Sequence, residues 1–292
     1  MSLRPVLFRF VALVCTLIGV ATATATAADA PLPLKVMTFN LRYASDQNPH
    51  AWPDRRPAVA AIIRQHAPDV LGTQEGLHRQ VTDIDTDLPG YGWLGQGRAG
   101  GNDDEFCAIF YRLDRVQPIK SGHFWLSDTP EVVGSMTWGN RYRRMVTWAR
   151  FRELRTEREF VVLNTHFDHE VEAARQKSAA LIVERLPELA GDLPVVVVGD
   201  FNCTAGDSPA FSTLTDGTGL IDTWTAASWI EPDTGVNTFH GYEAPVFNNE
   251  RIDWILARQP VQVGRSDIVM TRHEGEIPSD HFPVVVELTF PE

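Results

Sequence analysis

The sequence is poor in cysteine and in positive charge, and it has no apolar run long enough to cross a bilayer. Three cysteines in 292 residues exclude a disulfide-built scaffold, and no Cys-x-x-Cys or His-Glu-x-x-His spacing offers a familiar zinc framework. Basic residues number 26 against 38 acidic ones, a net charge of -12, which excludes a protein that grips polyanions through a broadly basic surface. No repeat, Gly/Ser linker, low-complexity tract or charge block interrupts residues 31–292, so one domain is expected there. The remaining composition, 43% hydrophobic and 22% charged, is that of a globular chain rather than a disordered, collagenous or multi-span one.

What is present starts at the N-terminus. Arg4 and Arg9 flank an apolar run over 10–20, about half a membrane span, and small residues follow over 21–30. This pattern predicts a signal peptide over 1–27, cut after Ala25-Thr26-Ala27, and therefore a secreted or periplasmic protein with no stable membrane insertion after cleavage. Cleavage removes Arg4, Arg9 and Cys15, leaving 24 basic against 38 acidic residues and a net charge of -14. Cys107 and Cys203 then meet an oxidising compartment, but nothing in their spacing brings them together, so free thiols are favoured over a bridge.

Strands are predicted at 34–41, 70–73, 106–111, 146–154, 160–164, 195–198, 252–256 and 284–290, several as continuous apolar runs of strands covered on both faces. Val59, Ile62, Ile63 and His66 keep helical spacing up to Pro68, and a second helix is predicted from about Val171, ended or kinked by Pro187. Residues 155–158 read as a hairpin tip. This mixture points to two sheets packed face to face under helices.

Polar residues stand where apolar strands end: Asn40, Glu75, His166, Asp200 with Asn202, and Ser279-Asp280-His281 before the last strand. One such loop residue says little, whereas five such sites can converge on a single rim. Carboxylate and carboxamide oxygens suit Mg²⁺ or Mn²⁺, with zinc second through His166, Asp168, His169 and His281.

The ordered series Thr38-Phe39-Asn40, Gln74-Glu75, Asn164-Thr165-His166, Gly199-Asp200-Phe201-Asn202, Arg251-Ile252-Asp253 and Ser279-Asp280-His281-Phe282-Pro283 resembles the endonuclease/exonuclease/phosphatase superfamily. The resemblance implies an α/β fold, a four-layer α/β/β/α sandwich of two mixed sheets flanked by helices. It implies that Glu75 and Asn40 bind Mg²⁺, or Mn²⁺, with Asp280 completing the shell directly or through water. Asp200 and Asn202 match the pair that orients or deprotonates the attacking water. His281 matches a phosphate-contacting histidine fixed by Asp253, and His166 a second one, paired with Glu105 in deoxyribonuclease-like members. Arg144 matches a phosphate-contacting arginine, with Arg141 and Arg143 close enough to take that role.

The implied activity is metal-dependent hydrolysis of a phosphate ester by in-line attack of water. Acidity favours a small phosphoester over nucleic acid. An extracellular deoxyribonuclease-like endonuclease is the alternative, followed by a sphingomyelinase-like enzyme and an inactive secreted binding protein of the same fold. A monomer is expected. Trp138, beside Gly139-Asn140, is expected to be exposed as a stacking platform, Asp168 and His169 to form a hydrogen-bonded loop, and Asn102-Asp103-Asp104 a solvated turn.

Overall fold

The structure is a computed structural model, described for residues 33–230, 235–270 and 272–291. The expected signal peptide, 1–27, lies outside the described residues. The elements in chain order are β1 (Leu34–Asn40), α1 (Trp52–His66), β2 (Val70–Gln74), α2 (His78–Asp87), β3 (Tyr91–Leu94), β4 (Ile109–Arg112), β5 (Val116–Trp125), β6 (Met145–Glu153) and β7 (Glu159–His166). There follow α3 (Glu172–Ala190), β8 (Val195–Asp200), α4 (Pro209–Thr215), β9 (Leu220–Asp222), α5 (Thr223–Ala226), β10 (Trp229–Ile230), β11 (Asp253–Arg258), β12 (Gln262–Ile268) and β13 (Val284–Thr289).

The continuous apolar strands are buried on both faces, as their composition requires. In β1, Leu34 and Val36 enter the core between the sheets while Met37 and Phe39 turn to the helices. In β8, Val196 and Val198 face inward while Val195 and Val197 face outward. One sheet has the order β10-β12-β13-β1-β2-β4-β3, the other β5-β6-β7-β8-β11-β9. α1 and α2 cover the first sheet through Val59, Ile62, Ile63, Val81 and Ile84. α3 and α4 cover the second through Ile182, Leu186 and Leu214. The result is the expected α/β/β/α sandwich of two mixed sheets.

Several local expectations change. β4 starts at Ile109 rather than Phe106, because Phe106 makes separate bridges to Gly76 and Gly97. Pro187 neither ends nor displaces α3 at that point; it sits in the last turn, which Gly191 closes by donating its N–H to the Pro187 carbonyl at 3.0 Å. Trp138 is half-buried against the α3-side core, with Nε1 bonded to Asp128 at 2.7 Å and Lys177 over its ring, so it is no exposed platform. Cys107 and Cys203 are both free.

Behind the strand ends the sheets are joined by a buried carboxamide pair. Gln74 Nε2 donates to Thr38 Oγ1 (3.1 Å) and Asn164 Oδ1 (2.7 Å), while Asn164 Nδ2 donates to the Thr73 and Ala108 carbonyls at 2.9 and 2.8 Å. These bonds cross from β2 to β7, so they set the depth at which the two sheets meet. Gly72 permits that approach, since a Cβ there would lie 2.4 Å from Val198 Cγ2 and 2.8 Å from the Asn164 side chain. Gly72→Ala is therefore expected to destabilise the fold by about 1–3 kcal/mol. Urea denaturation checks this, and an unchanged midpoint would contradict it.

Candidate active site

Strand direction assembles the site. β1 and β2 are parallel with Asn40 beside Gln74, and β7 and β8 are parallel with His166 beside Asp200. β4, β6, β11 and β13 run antiparallel to their partners β2, β7, β8 and β1. The exits of the first four strands and the entrances of the second four thus share one end of the sandwich. The exits bring Asn40, Glu75, His166 and Asp200; the entrances bring Glu105, Arg144, Asp253 and the Asp280-His281 pair.

A cleft of about 490 Å³ opens at this end and is lined by Glu75, Glu105, Arg144, His166, Asp200, Asn202, Asp280 and His281. Asn40 lies buried, with its Nδ2 donating to Glu75 Oε1 (3.0 Å) and Asp200 Oδ2 (2.9 Å). Its Oδ1 accepts from the Arg42 N–H at 2.9 Å. As placed, Asn40 holds the two carboxylates together through its amide nitrogen. The Tyr43 N–H donates to Glu75 Oε2 at 2.8 Å and fixes the second oxygen. Arg42, Glu75 and Asn202 adopt left-handed backbone at φ 59°, 62° and 51°, strain of the kind that collects where side chains must be aimed.

The two histidines are driven to different protonation states. His281 Nδ1 is 2.9 Å from Asp253 Oδ2, and its Nε2 is 3.8 Å from Asp200 Oδ2. Burial opposes its charge, but Asp253 and Asp200 push its pKa up to about 10, so it is an imidazolium near neutrality. His166 Nε2 lies 3.4 Å from Asp200 Oδ2, yet burial and the nearby Arg144 and Arg98 hold its pKa well below the ordinary value, leaving it neutral. Burial, then Asp253, raise Asp200 to about 7. Burial acts the same way on Glu75, but His281, Asn40 and the Tyr43 N–H outweigh it and hold that group below the usual range. Burial raises Asp280, whose Oδ2 lies 3.5 Å from Arg42 Nη1.

Glu75, Asp200 and His281 present ligand-type atoms within 4.8 Å of one another. An imidazolium has no lone pair to give, so in this cluster the carboxylate oxygens are the donors, and Asp280 lines the same cleft. Such a donor set fits a hard divalent cation such as Mg²⁺ or Mn²⁺ better than zinc. Of the other zinc candidates, neutral His166 stands 3.4 Å from Asp200 outside the Glu75–Asp200–His281 cluster, Asp168 Oδ1 accepts the Glu170 and Val171 N–H groups as a hydrogen-bonded loop residue, and His169 Nδ1 lies 2.9 Å from Arg144 Nη2.

Among the three neighbouring arginines, burial singles out Arg144. It is 4% exposed and lines the cleft, and its Nε and Nη1 have no hydrogen-bond partner among the described residues. Arg141 and Arg143 are exposed, Arg141 pairing with Glu170 and Arg143 bonding the Gly134 carbonyl. Glu105 differs from the resemblance in its partner: its carboxylate takes Arg98 at 2.8 and 2.9 Å rather than His166, and burial raises its pKa to about 7. Arg98 and Phe239, whose ring is 5.0 Å from His281, escape a reading based on strand ends because both belong to loops.

The endonuclease/exonuclease/phosphatase family model matches residues 37–281. The chain belongs to this family. A family protein from Bacteroides vulgatus is 36% identical, with a TM-score of 0.84 over 89% of this chain and 100% of that one. A mannosyl-6-phosphatase from Bacteroides thetaiotaomicron is 34% identical, with a TM-score of 0.81 over 88% and 100% of the two chains. Protein L388 of Acanthamoeba polyphaga mimivirus is 30% identical over 56% of this chain, and the match spans 63% of that protein's length.

If Asp253 sustains the His281 cation, Asp253→Asn lowers the imidazole titration midpoint from about 10. NMR titration of the His281 ring measures it, and an unmoved midpoint would contradict the assignment.

Proposed function

We propose that this family member is a divalent-metal-dependent phosphoesterase that hydrolyses a small phosphoester, a sugar phosphate above all, by in-line attack of water. The observation that carries this reading is Arg144: a buried guanidinium that lines one cleft with the Glu75, Asp200 and Asp280 carboxylates, and whose Nε and Nη1, themselves buried, have no hydrogen-bond partner among the described residues. Buried donors without partners are rare, and a phosphoryl group is the anion whose oxygens match a guanidinium fork.

Glu75 and Asp280 are the proposed ligands, with Asn40 and the Tyr43 N–H fixing the Glu75 carboxylate. A bound Mg²⁺ or Mn²⁺ would neutralise charge on a phosphoryl oxygen. Asp200, with a pKa near 7, is matched to accept a proton from the attacking water, while the Asn202 N–H at 2.9 Å holds its other oxygen. Asn202 also faces the cleft and offers a contact to the phosphate. His281 donates from Nε2 to a phosphoryl oxygen, Asp253 keeps it charged, and Arg144 donates from its own place in the cleft lining. Neutral His166 stays a hydrogen-bonding contact, and Glu105 positions Arg98.

Three observations support a small substrate. The cleft volume is that of a small-ligand pocket. The chain's acidity disfavours a polynucleotide. One relative is a mannosyl-6-phosphatase. The second reading is a deoxyribonuclease-like endonuclease, favoured by the two histidines that flank Asp200. The proposal includes export of a monomer through the signal peptide over 1–27, on the sequence pattern described above.

Phosphate release from mannose 6-phosphate and nicking of plasmid DNA, each with Mg²⁺ or Mn²⁺ and with chelator, test the reading. The sugar phosphate is expected to turn over and chelator to abolish turnover. Glu75→Gln is expected to lower kcat/KM by at least about 100-fold, and Arg144→Met by about 10- to 100-fold. Chelator-insensitive turnover, or a Glu75→Gln variant with wild-type rate, would overturn the metal assignment; DNA nicking without sugar-phosphate hydrolysis would overturn the substrate.

A further inference from the structure

Arg55, on α1, is fully buried and forms no ion pair with a carboxylate among the described residues. Its guanidinium is spent on main-chain carbonyls instead. Nη1 donates to Leu41 O (2.7 Å) and Pro278 O (2.6 Å), Nε to His50 O (2.9 Å) and Nη2 to Arg42 O (3.2 Å). Asp280 and Glu75 act on the buried charge only without a contact ion pair, and an apolar side chain would dock a helix with less penalty. What only the planar fork provides is simultaneous, fixed bonding to acceptors on separate segments.

Two of those segments, at the exit of β1 and before the entrance of β13, belong to the rim. Leu41 and Arg42 follow Asn40, in the turn whose Tyr43 N–H holds Glu75. Pro278 precedes Ser279-Asp280-His281, and Ser279 Oγ donates to the Asn40 carbonyl at 2.6 Å as a second tie between the same segments. His50 and Tyr242, stacked at 3.6 Å, and the Trp52 ring, 5.5 Å away, pack around the guanidinium region.

We infer that Arg55 is a positioning residue that clamps the 41–43 turn to the 278–281 segment and thereby holds Glu75 in register with Asp280 and His281. The inference rests on the phosphoesterase reading for its kinetic consequences, but the clamp itself is a property of the backbone that can be read without substrate. Loss of the fork frees the two segments while leaving the sheets intact.

The test compares Arg55→Lys and Arg55→Met with the wild type and with Phe151→Leu, a core control between the sheets. Hydrogen exchange by mass spectrometry is measured over the whole chain, together with kcat, KM and Mn²⁺ affinity by calorimetry. Exchange is expected to accelerate in the 41–43 and 278–281 segments but not in β7 and β8. Mn²⁺ affinity and kcat are expected to fall by about 10- to 100-fold with KM within about threefold, Arg55→Lys lying between Arg55→Met and wild type. Phe151→Leu is expected to lower Tm without the local exchange change or the kcat loss. Unchanged exchange in both segments overturns the clamp, as does acceleration spread evenly over the sheets. A variant with local acceleration but wild-type kcat and Mn²⁺ affinity overturns its positioning role. If Arg55→Met does not fold, Arg55→Lys decides. If the wild type itself shows no metal-dependent turnover, the phosphoesterase reading fails and the clamp is judged on exchange alone.

Discussion

His281 is held as a cation between two buried carboxylates, Asp253 on one side and Asp200 on the other, and the rest of the rim is arranged around that charge. Asp200 is anchored in return, taking the Asn40 amide on Oδ2 and the Asn202 N–H on Oδ1. Removing any one of these groups leaves an uncompensated charge in a poorly hydrated place, which costs several kcal/mol. That mutual dependence explains why the strand ends must meet at fixed depth. It also explains why the sheets are joined immediately below by the Gln74–Asn164 bonds rather than by apolar packing alone.

The chain's acidity and its proposed anionic substrate are compatible because charge is organised locally. A -12 protein repels phosphate at long range, but within the cleft Arg144, Arg98 and the His281 imidazolium occupy the walls around the carboxylates. The same arrangement separates the two histidines. Burial, with arginine neighbours adding to it, keeps His166 neutral, while carboxylate neighbours outweigh burial and keep His281 charged, so one rim offers both a fixed cation and an uncharged imidazole.

Much of this was legible in the sequence, for physical reasons particular to each element. β1, β2, β7 and β8 are covered on both faces, so they read as largely apolar runs, and Asn40, Glu75, His166 and Asp200 stand out as polar residues where those runs end. β5 is hidden because its residues alternate irregularly between exposed and buried and include Pro118. α2 is hidden because only Gln80, Val81 and Ile84 of its ten residues are buried. Arg55 is illegible in principle: one of its acceptors, the Pro278 carbonyl, lies 223 residues away and carries no side-chain signal. The partner of Glu105 is hidden for a similar reason, since Arg98 lies in a loop without periodicity and takes the carboxylate that the resemblance pairs with His166.

The central claim is that a cation on the Glu75 carboxylate and a phosphoryl group held by Arg144 and His281 share this cleft. It is tested most directly by a crystal structure of the protein soaked with Mn²⁺ and orthovanadate, with the metal located by anomalous scattering. The account predicts manganese on the Glu75 carboxylate and vanadate oxygens within hydrogen-bond distance of both Arg144 and His281. Manganese bound away from Glu75, or vanadate touching neither Arg144 nor His281, would contradict it.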